Sequence, residues 1–130
     1  MNDRSEGPKG RVLIVEDEAI VAMFIEDLLD ISGHDVVASV TNARDAVSTA
    51  LSERPDLILM DVNLDGARDG IDAAREIRES RDVPIIFITA YSDETTRGRA
   101  MAVGNVAYLL KPFRHDQLDN AISEALGGST

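Results

Sequence analysis

Four short apolar runs in this 130-residue chain each stop at a polar residue. They are Val12-Leu13-Ile14-Val15 before Glu16-Asp17, Leu57-Ile58-Leu59-Met60 before Asp61, Ile85-Ile86-Phe87-Ile88 before Thr89, and Ala107-Tyr108-Leu109-Leu110 before Lys111-Pro112. Unbroken apolar runs of that length read as strands buried on both faces. Between them lie segments with helical periodicity. Strands that alternate with helices build a parallel sheet covered on each side, and ligands bind where the carboxyl ends of its strands line up. The pattern therefore predicts an α/β (βα)5 fold, a doubly wound five-stranded parallel sheet in a three-layer sandwich. It also brings three carboxylates, a hydroxyl and a lysine to one crevice.

Turn and cap residues punctuate the same scheme. Ile20, Phe24, Leu28 and Ile31 recur at helical spacing, widened by Val21 and Ile25, and are expected to face the sheet. Gly33 suits the position just past that helix. Residues 34–40 read as a second strand, and Thr41 or Asn42 as the cap of a helix through about Glu53, ended by Pro55. A polar loop over 62–70 leads to a helix carrying Ile71, Ala74 and Ile77. Pro84 opens the fourth strand. Ser92 can cap a helix over 93–103, stopped by Gly104, and Leu118, Ile122 and Leu126 mark the last one. The fourth helix is the weakest, because Gly98 costs about 1 kcal/mol relative to Ala and Thr95 and Thr96 are β-branched. It reads either as a poor surface helix or as one poised to shift.

Composition narrows the function. A net charge of −11 argues against nucleic-acid binding, which needs a basic footprint. No apolar stretch approaches the roughly 20 residues that span a bilayer. Residues 1–10 lack the apolar centre of a signal peptide and read as a flexible lead-in, with 11–127 as one domain and 128–130 as a short tail. The absence of cysteine excludes disulfides and thiolate metal sites and suits a reducing cytoplasm. Of thirteen basic residues only Lys9 and Lys111 are lysine. Arginine-favouring codon usage would explain that count, yet a lone lysine kept at a strand end suits a role that arginine fills poorly.

The strand-end residues then form a chemical argument. Glu16, Asp17 and Asp61 gather negative charge in a small space, and unit charges 4 Å apart repel by about 4 kcal/mol at an effective dielectric near 20. Such a cluster raises a pKa or holds a hard cation, and oxygen ligands alone select Mg2+ or a similar ion. Asp61, on the central strand, suits a nucleophile that forms an aspartyl-phosphate. Thr89 can donate to a phosphoryl oxygen, and Lys111 can reach another as a flexible point charge. Taken singly, each residue has a plain structural reading: acids at strand ends cap helices, and threonine favours strands. Their joint placement carries the argument.

On these motifs, over residues 10–126, the chain resembles a receiver domain of a two-component response regulator. The resemblance implies the flavodoxin-like strand order 2-1-3-4-5, with Glu16-Asp17 as the acidic pair and Asp61 as the phosphoacceptor. Thr89 stands for the switch hydroxyl, Tyr108 for the switch aromatic, and Lys111-Pro112 for the lysine with its usually cis proline. It further implies Mg2+ held by Asp17, Asp61 and the main-chain carbonyl of Asn63, with Glu16 acting through water. A sensor histidine kinase or histidine phosphotransferase is the implied donor. Two features depart from the family pattern. Asp65 replaces a usual proline and Asp69-Gly70 falls one residue late, while Tyr91 occupies a position that influences the hydrolytic water. The loop and Ile88-Thr89-Ala90-Tyr91 resemble receivers partnered with HWE or HisKA2 kinases.

Other readings stay open at this point. A haloacid-dehalogenase-like phosphatase also uses Asp, Thr and Lys, but it needs an Asp where Asn63 stands and a nucleophile after the first strand. A flavin protein would share the topology, but Glu16-Asp17-Glu18 would repel its phosphate. A degenerate receiver acting as a scaffold is a third. No output domain is read in these residues, so the chain is either a stand-alone receiver or part of a longer protein. On a helical wheel Ala19, Ala22, Met23, Glu26 and Asp30 face away from the sheet, a low patch expected to dock the kinase or phosphotransferase.

Overall fold

The protein, seen here as a computed structural model, is described over residues 9–64, 66–91 and 93–128. Five strands and five helices alternate: β1 Arg11–Val15, α1 Ala19–Ile31, β2 Asp35–Val40, α2 Ala43–Glu53, β3 Leu57–Asp61, α3 Gly70–Ser80, β4 Ile85–Thr89, α4 Glu94–Met101, β5 Val106–Leu110 and α5 His115–Ser123. A widened turn, Glu124–Gly128, follows α5. All strand pairs are parallel, in the order β2-β1-β3-β4-β5.

Strand alternation divides the core in two. Leu13, Val15, Ile58, Met60, Ile85 and Phe87 pack with Ala46, Ala50, Ile71 and Ile77 of α2 and α3. Val12, Ile14, Leu57, Leu59, Ile86 and Ile88 pack on the other face with Ile25, Leu29, Leu118 and Ile122 of α1 and α5. Both faces of β1, β3 and β4 are thus buried, which is why their sequences carry no polar alternation. The register pairs Val15 with Met60 and Asp61 with Ile88, so Glu16 and Asp61 emerge side by side at the sheet's carboxyl edge.

Local signals act as their chemistry demands. The Asn42 side chain accepts from the Asp45 N–H and caps α2. Asp69 and Asp72 form a reciprocal capping box on α3. Gly33 adopts φ +91° just beyond α1, a conformation that costs other residues strain. On α4 the cap is Asp93, which accepts from the Thr96 N–H and hydroxyl; Ser92 lies outside the described residues. The helix is also shorter than the spacing suggests. Only Ala100 of α4 is buried, so little apolar area holds it to the sheet.

The facing of α1 differs from the expectation. Ala22, Ile25, Leu28 and Leu29 are buried, whereas Ile20 is 82% exposed, Ile31 58% and Phe24 48%. Ala22, placed in the outward docking patch by the helical wheel, is a core residue. Helix α1 carries two apolar stripes about 100° apart that share Leu28, and side-chain bulk favours the wrong one. The chain enters α1 from a strand end where the Glu16 carboxylate accepts the Glu18 N–H at 3.1 Å, and the small Ala22 then meets the sheet.

Candidate acidic site at the carboxyl edge of the sheet

Three carboxylates converge here: Glu16 and Asp17 follow β1, and Asp61 ends β3. An oxygen from each lies within 4.8 Å of the others. Glu16 and Asp61 are buried and Asp17 is half-buried. Lys111 reaches in from the end of β5, with Nζ 3.0 Å from Glu16 Oε1, 3.6 Å from Asp61 Oδ2 and 3.8 Å from Glu18. The Lys111 N–H donates to the Thr89 carbonyl at 2.8 Å, and the Lys111–Pro112 peptide is cis. Asp17, Glu18, Asp61 and Lys111, together with Asn63, Ala90 and Tyr91, line an open crevice of about 290 Å3.

Burial is the main influence on Asp61 and pushes its carboxyl up to about 7; the charge of Glu16 adds to this, while the Asn63 N–H and Lys111 oppose it. Burial also disfavours a charged Lys111, but the Glu16 hydrogen bond and the Asp61 charge outweigh it and hold its pKa above the ordinary value. One ammonium against three carboxylates leaves a net negative pocket. Donors of this kind, oxygen throughout with no sulfur or imidazole among them, fit a hard divalent cation.

Thr89 is fully buried at the end of β4. Its hydroxyl donates to Asn63 Oδ1 at 3.1 Å and accepts the Tyr91 N–H at 3.1 Å. Tyr108 stands apart from the carboxylates. Its hydroxyl donates to the Tyr91 carbonyl at 3.2 Å, and Arg97 lies 5.1 Å above its ring. The fold thus gathers Glu16, Asp17, Asp61, Asn63, Thr89 and Lys111, and places Tyr108 two hydrogen bonds outside, beyond Tyr91. Of the expected docking residues, Ala19 and Met23 are exposed, Glu26 is half-buried, and Ala22 is not available.

Three contributors escape the sequence reading. A Cβ at Gly70 would stand 2.0 Å from the Asp61 carbonyl oxygen, so the β3–α3 loop lies directly on the strand end. The side chain of Asn63, as distinct from its carbonyl, touches Thr89. Arg99 of α4 pairs with Asp69 at 3.0 Å and Asp72 at 3.4 Å, tethering the loosely packed helix to the α3 cap. None of the three has a local signal: the Asp-x-x-Asp spacing marks the α3 cap but not Arg99, which is 30 residues from Asp69.

Residues 12–123 match the response regulator receiver domain family. The chain belongs to that family. Receivers are phosphoacceptors of two-component signalling. This receiver is 42% identical over 116 residues to the transcriptional regulatory protein PdtaR of Mycobacterium tuberculosis, covering 89% of the chain and 56% of that protein. It is 38% identical over 117 residues to the phyllosphere-induced regulator PhyR of Methylorubrum extorquens, covering 88% and 43%. The receiver spans about half the length of these curated relatives. Among solved structures, the signal receiver domain of a modulated diguanylate cyclase from Desulfovibrio desulfuricans G20 superposes with TM-score 0.86 at 38% identity, covering 93% and 96% of the two chains. The receiver domain of PhyR from Erythrobacter litoralis does so with TM-score 0.76 at 34% identity, covering 91% and 90%.

Proposed function

We propose that this receiver accepts a phosphoryl group on Asp61 from a sensor histidine kinase or histidine phosphotransferase and switches shape through Thr89 and Tyr108. One observation carries the reading: Asp61, Glu16, Asp17 and Lys111 meet at the edge of the sheet in a crevice open to a donor. An Asp61 oxygen attacks phosphorus, the bond from phosphorus to the donor atom breaks, and that atom leaves with its electron pair. Lys111, already 3.6 Å from Asp61, is placed to neutralise an equatorial phosphoryl oxygen. Thr89 turns its hydroxyl to another. Asp17, Asp61 and the Asn63 carbonyl would hold Mg2+, with Glu16 beside them, and the ion when bound offsets the charge of the incoming phosphoryl group.

The corrected surface of α1 supports donor docking there. Ile20, Met23, Phe24 and Ile31 form an exposed apolar face, and the Phe24 ring lies 6.1 Å from that of Phe113 in the β5–α5 connection. Ala19 and Met23 remain in the docking surface, Glu26 at its border. An HWE or HisKA2 kinase is the donor class implied by the loop sequence and Ile88-Thr89-Ala90-Tyr91. No described helix is long and apolar enough to cross a membrane, and a donor charged from ATP puts the reaction in the cytoplasm.

Transfer from a radiolabelled histidine kinase tests the reading. Label should move to the wild-type receiver in Mg2+, fail in excess EDTA, and fail with Asp61→Asn. Undiminished label on Asp61→Asn would refute the assignment.

A further inference from the structure

A threonine hydroxyl has one proton to give. In the resting receiver that proton is committed, since Thr89 donates it to Asn63 Oδ1 at 3.1 Å. Thr89 is fully buried while Asn63 is exposed, so water reaches the acceptor but not the hydroxyl. Residue 63 touches the acceptor as well, because its N–H donates to Asp61 Oδ1 at 3.0 Å. On the far side, the Tyr91 N–H donates to Thr89 Oγ1 and the Tyr91 carbonyl accepts from the Tyr108 hydroxyl. An unbroken chain of polar contacts therefore runs from Asp61 through residues 63, 89 and 91 to Tyr108.

The geometry points to the Asn63 side chain as a positioning residue, a latch that holds Thr89 in its resting orientation and sets how readily the receiver switches. The inference rests on the reading of Asp61 and Thr89 proposed above. Thr89 cannot donate to a phosphoryl oxygen until it leaves Asn63. The amide of Asn63 is exposed and can take a water once Thr89 departs, so release leaves no buried acceptor unpaired. The hold is therefore that of one neutral hydrogen bond, which corresponds to a roughly three- to tenfold bias in the resting equilibrium. That is weak enough for a covalent phosphoryl group to overcome and strong enough to suppress switching without one. The main-chain carbonyl of residue 63, the expected metal ligand, survives a change of side chain, so the latch can be tested separately from the metal.

The experiment compares wild type, Asn63→Ala and Asn63→Asp, all unphosphorylated, by side-chain couplings that report the rotamer populations of Thr89 and Tyr108. Asn63→Ala removes the acceptor and should raise the minor Thr89 rotamer three- to tenfold, with Tyr108 shifting in parallel. Asn63→Asp keeps an oxygen in the same place, now charged, and should hold both residues in the resting rotamers at least as firmly as wild type. A structural defect would disturb amide signals across the sheet and would not be reversed by that variant. Wild-type rotamer populations in Asn63→Ala, or a raised minor rotamer in Asn63→Asp, would overturn the latch. Labelling wild type and Asp61→Asn with acetyl phosphate tests Asp61 independently: label retained by Asp61→Asn would count against the acceptor and leave the rotamer comparison intact.

Discussion

An added methyl at Gly70 would lie 2.0 Å from the Asp61 carbonyl oxygen and 2.9 Å from the Met60 side chain, and the first of these neighbours is backbone that cannot swing away. Gly70→Ala should cost about 1–3 kcal/mol, the range for overpacking a closed site, read from urea unfolding midpoints. It should also slow phosphorylation, because the displaced strand end carries Asp61. His34 offers a second single-residue test. Burial, with the charge of Lys9 adding to it, holds its imidazole below the ordinary value near 6.5, and its Nδ1 accepts the Gly10 N–H at 3.2 Å. The unfolded chain therefore takes up a proton near 6.5 that the native state refuses. Stability from a neutral His34 is complete above that pH and is lost as pH falls through it. Asp61 works the other way in the metal-free receiver: its raised pKa makes the fold gain stability as pH falls from about 7 toward the ordinary carboxyl value. Only the comparison with His34→Gln isolates the histidine. From pH 7.5 to 5.5 the change in urea stability should be less favourable for wild type than for the variant, and equal changes would show that His34 is not held neutral.

At the scale of elements, the strand ends were readable because a strand buried on both faces stays apolar until it leaves the core. Glu16, Asp61 and Thr89 mark those exits in the sequence itself. The orientation of α1 was not readable. Two overlapping apolar stripes compete there, and the choice depends on how Glu16, pinned at the site, directs the chain into the helix. The side chain of Asn63 was hidden for a related reason, since its partner Thr89 is 26 residues away and comes near only through the pairing of β3 and β4. The correction to α1 changes the docking experiment. Ala22→Glu would now bury a charge against the sheet, whereas Met23 is 62% exposed and its replacement should alter stability by no more than about 0.5 kcal/mol. Met23→Lys should reduce transfer from a histidine kinase about tenfold, a cost typical of one residue at the centre of an interface. Acetyl phosphate, which needs no docking, should react as before. Wild-type rates with both donors would remove this face from the docking site.

Across the whole molecule, a net charge of −11 and three carboxylates within 4.8 Å make the native state sensitive to cations. Mg2+ at ten times its dissociation constant should stabilise the fold by about 1.4 kcal/mol, because the unfolded chain cannot assemble the site. For a domain of this size that raises the melting temperature by about 5 °C. Sodium chloride at equal ionic strength should give a smaller rise, and Asp61→Asn should remove most of the difference. Identical responses to the two salts would mean general screening rather than a site. The central claim, an acyl phosphate on Asp61, is tested most directly by chemistry that records where it forms. Borohydride reduces an acyl phosphate to an alcohol and leaves a free carboxylate untouched. After incubation with acetyl phosphate and Mg2+, reduction followed by peptide mass spectrometry should find homoserine at position 61 and nowhere else. Homoserine at another acidic residue, or an unchanged Asp61 in protein that has taken up phosphate, would contradict the account.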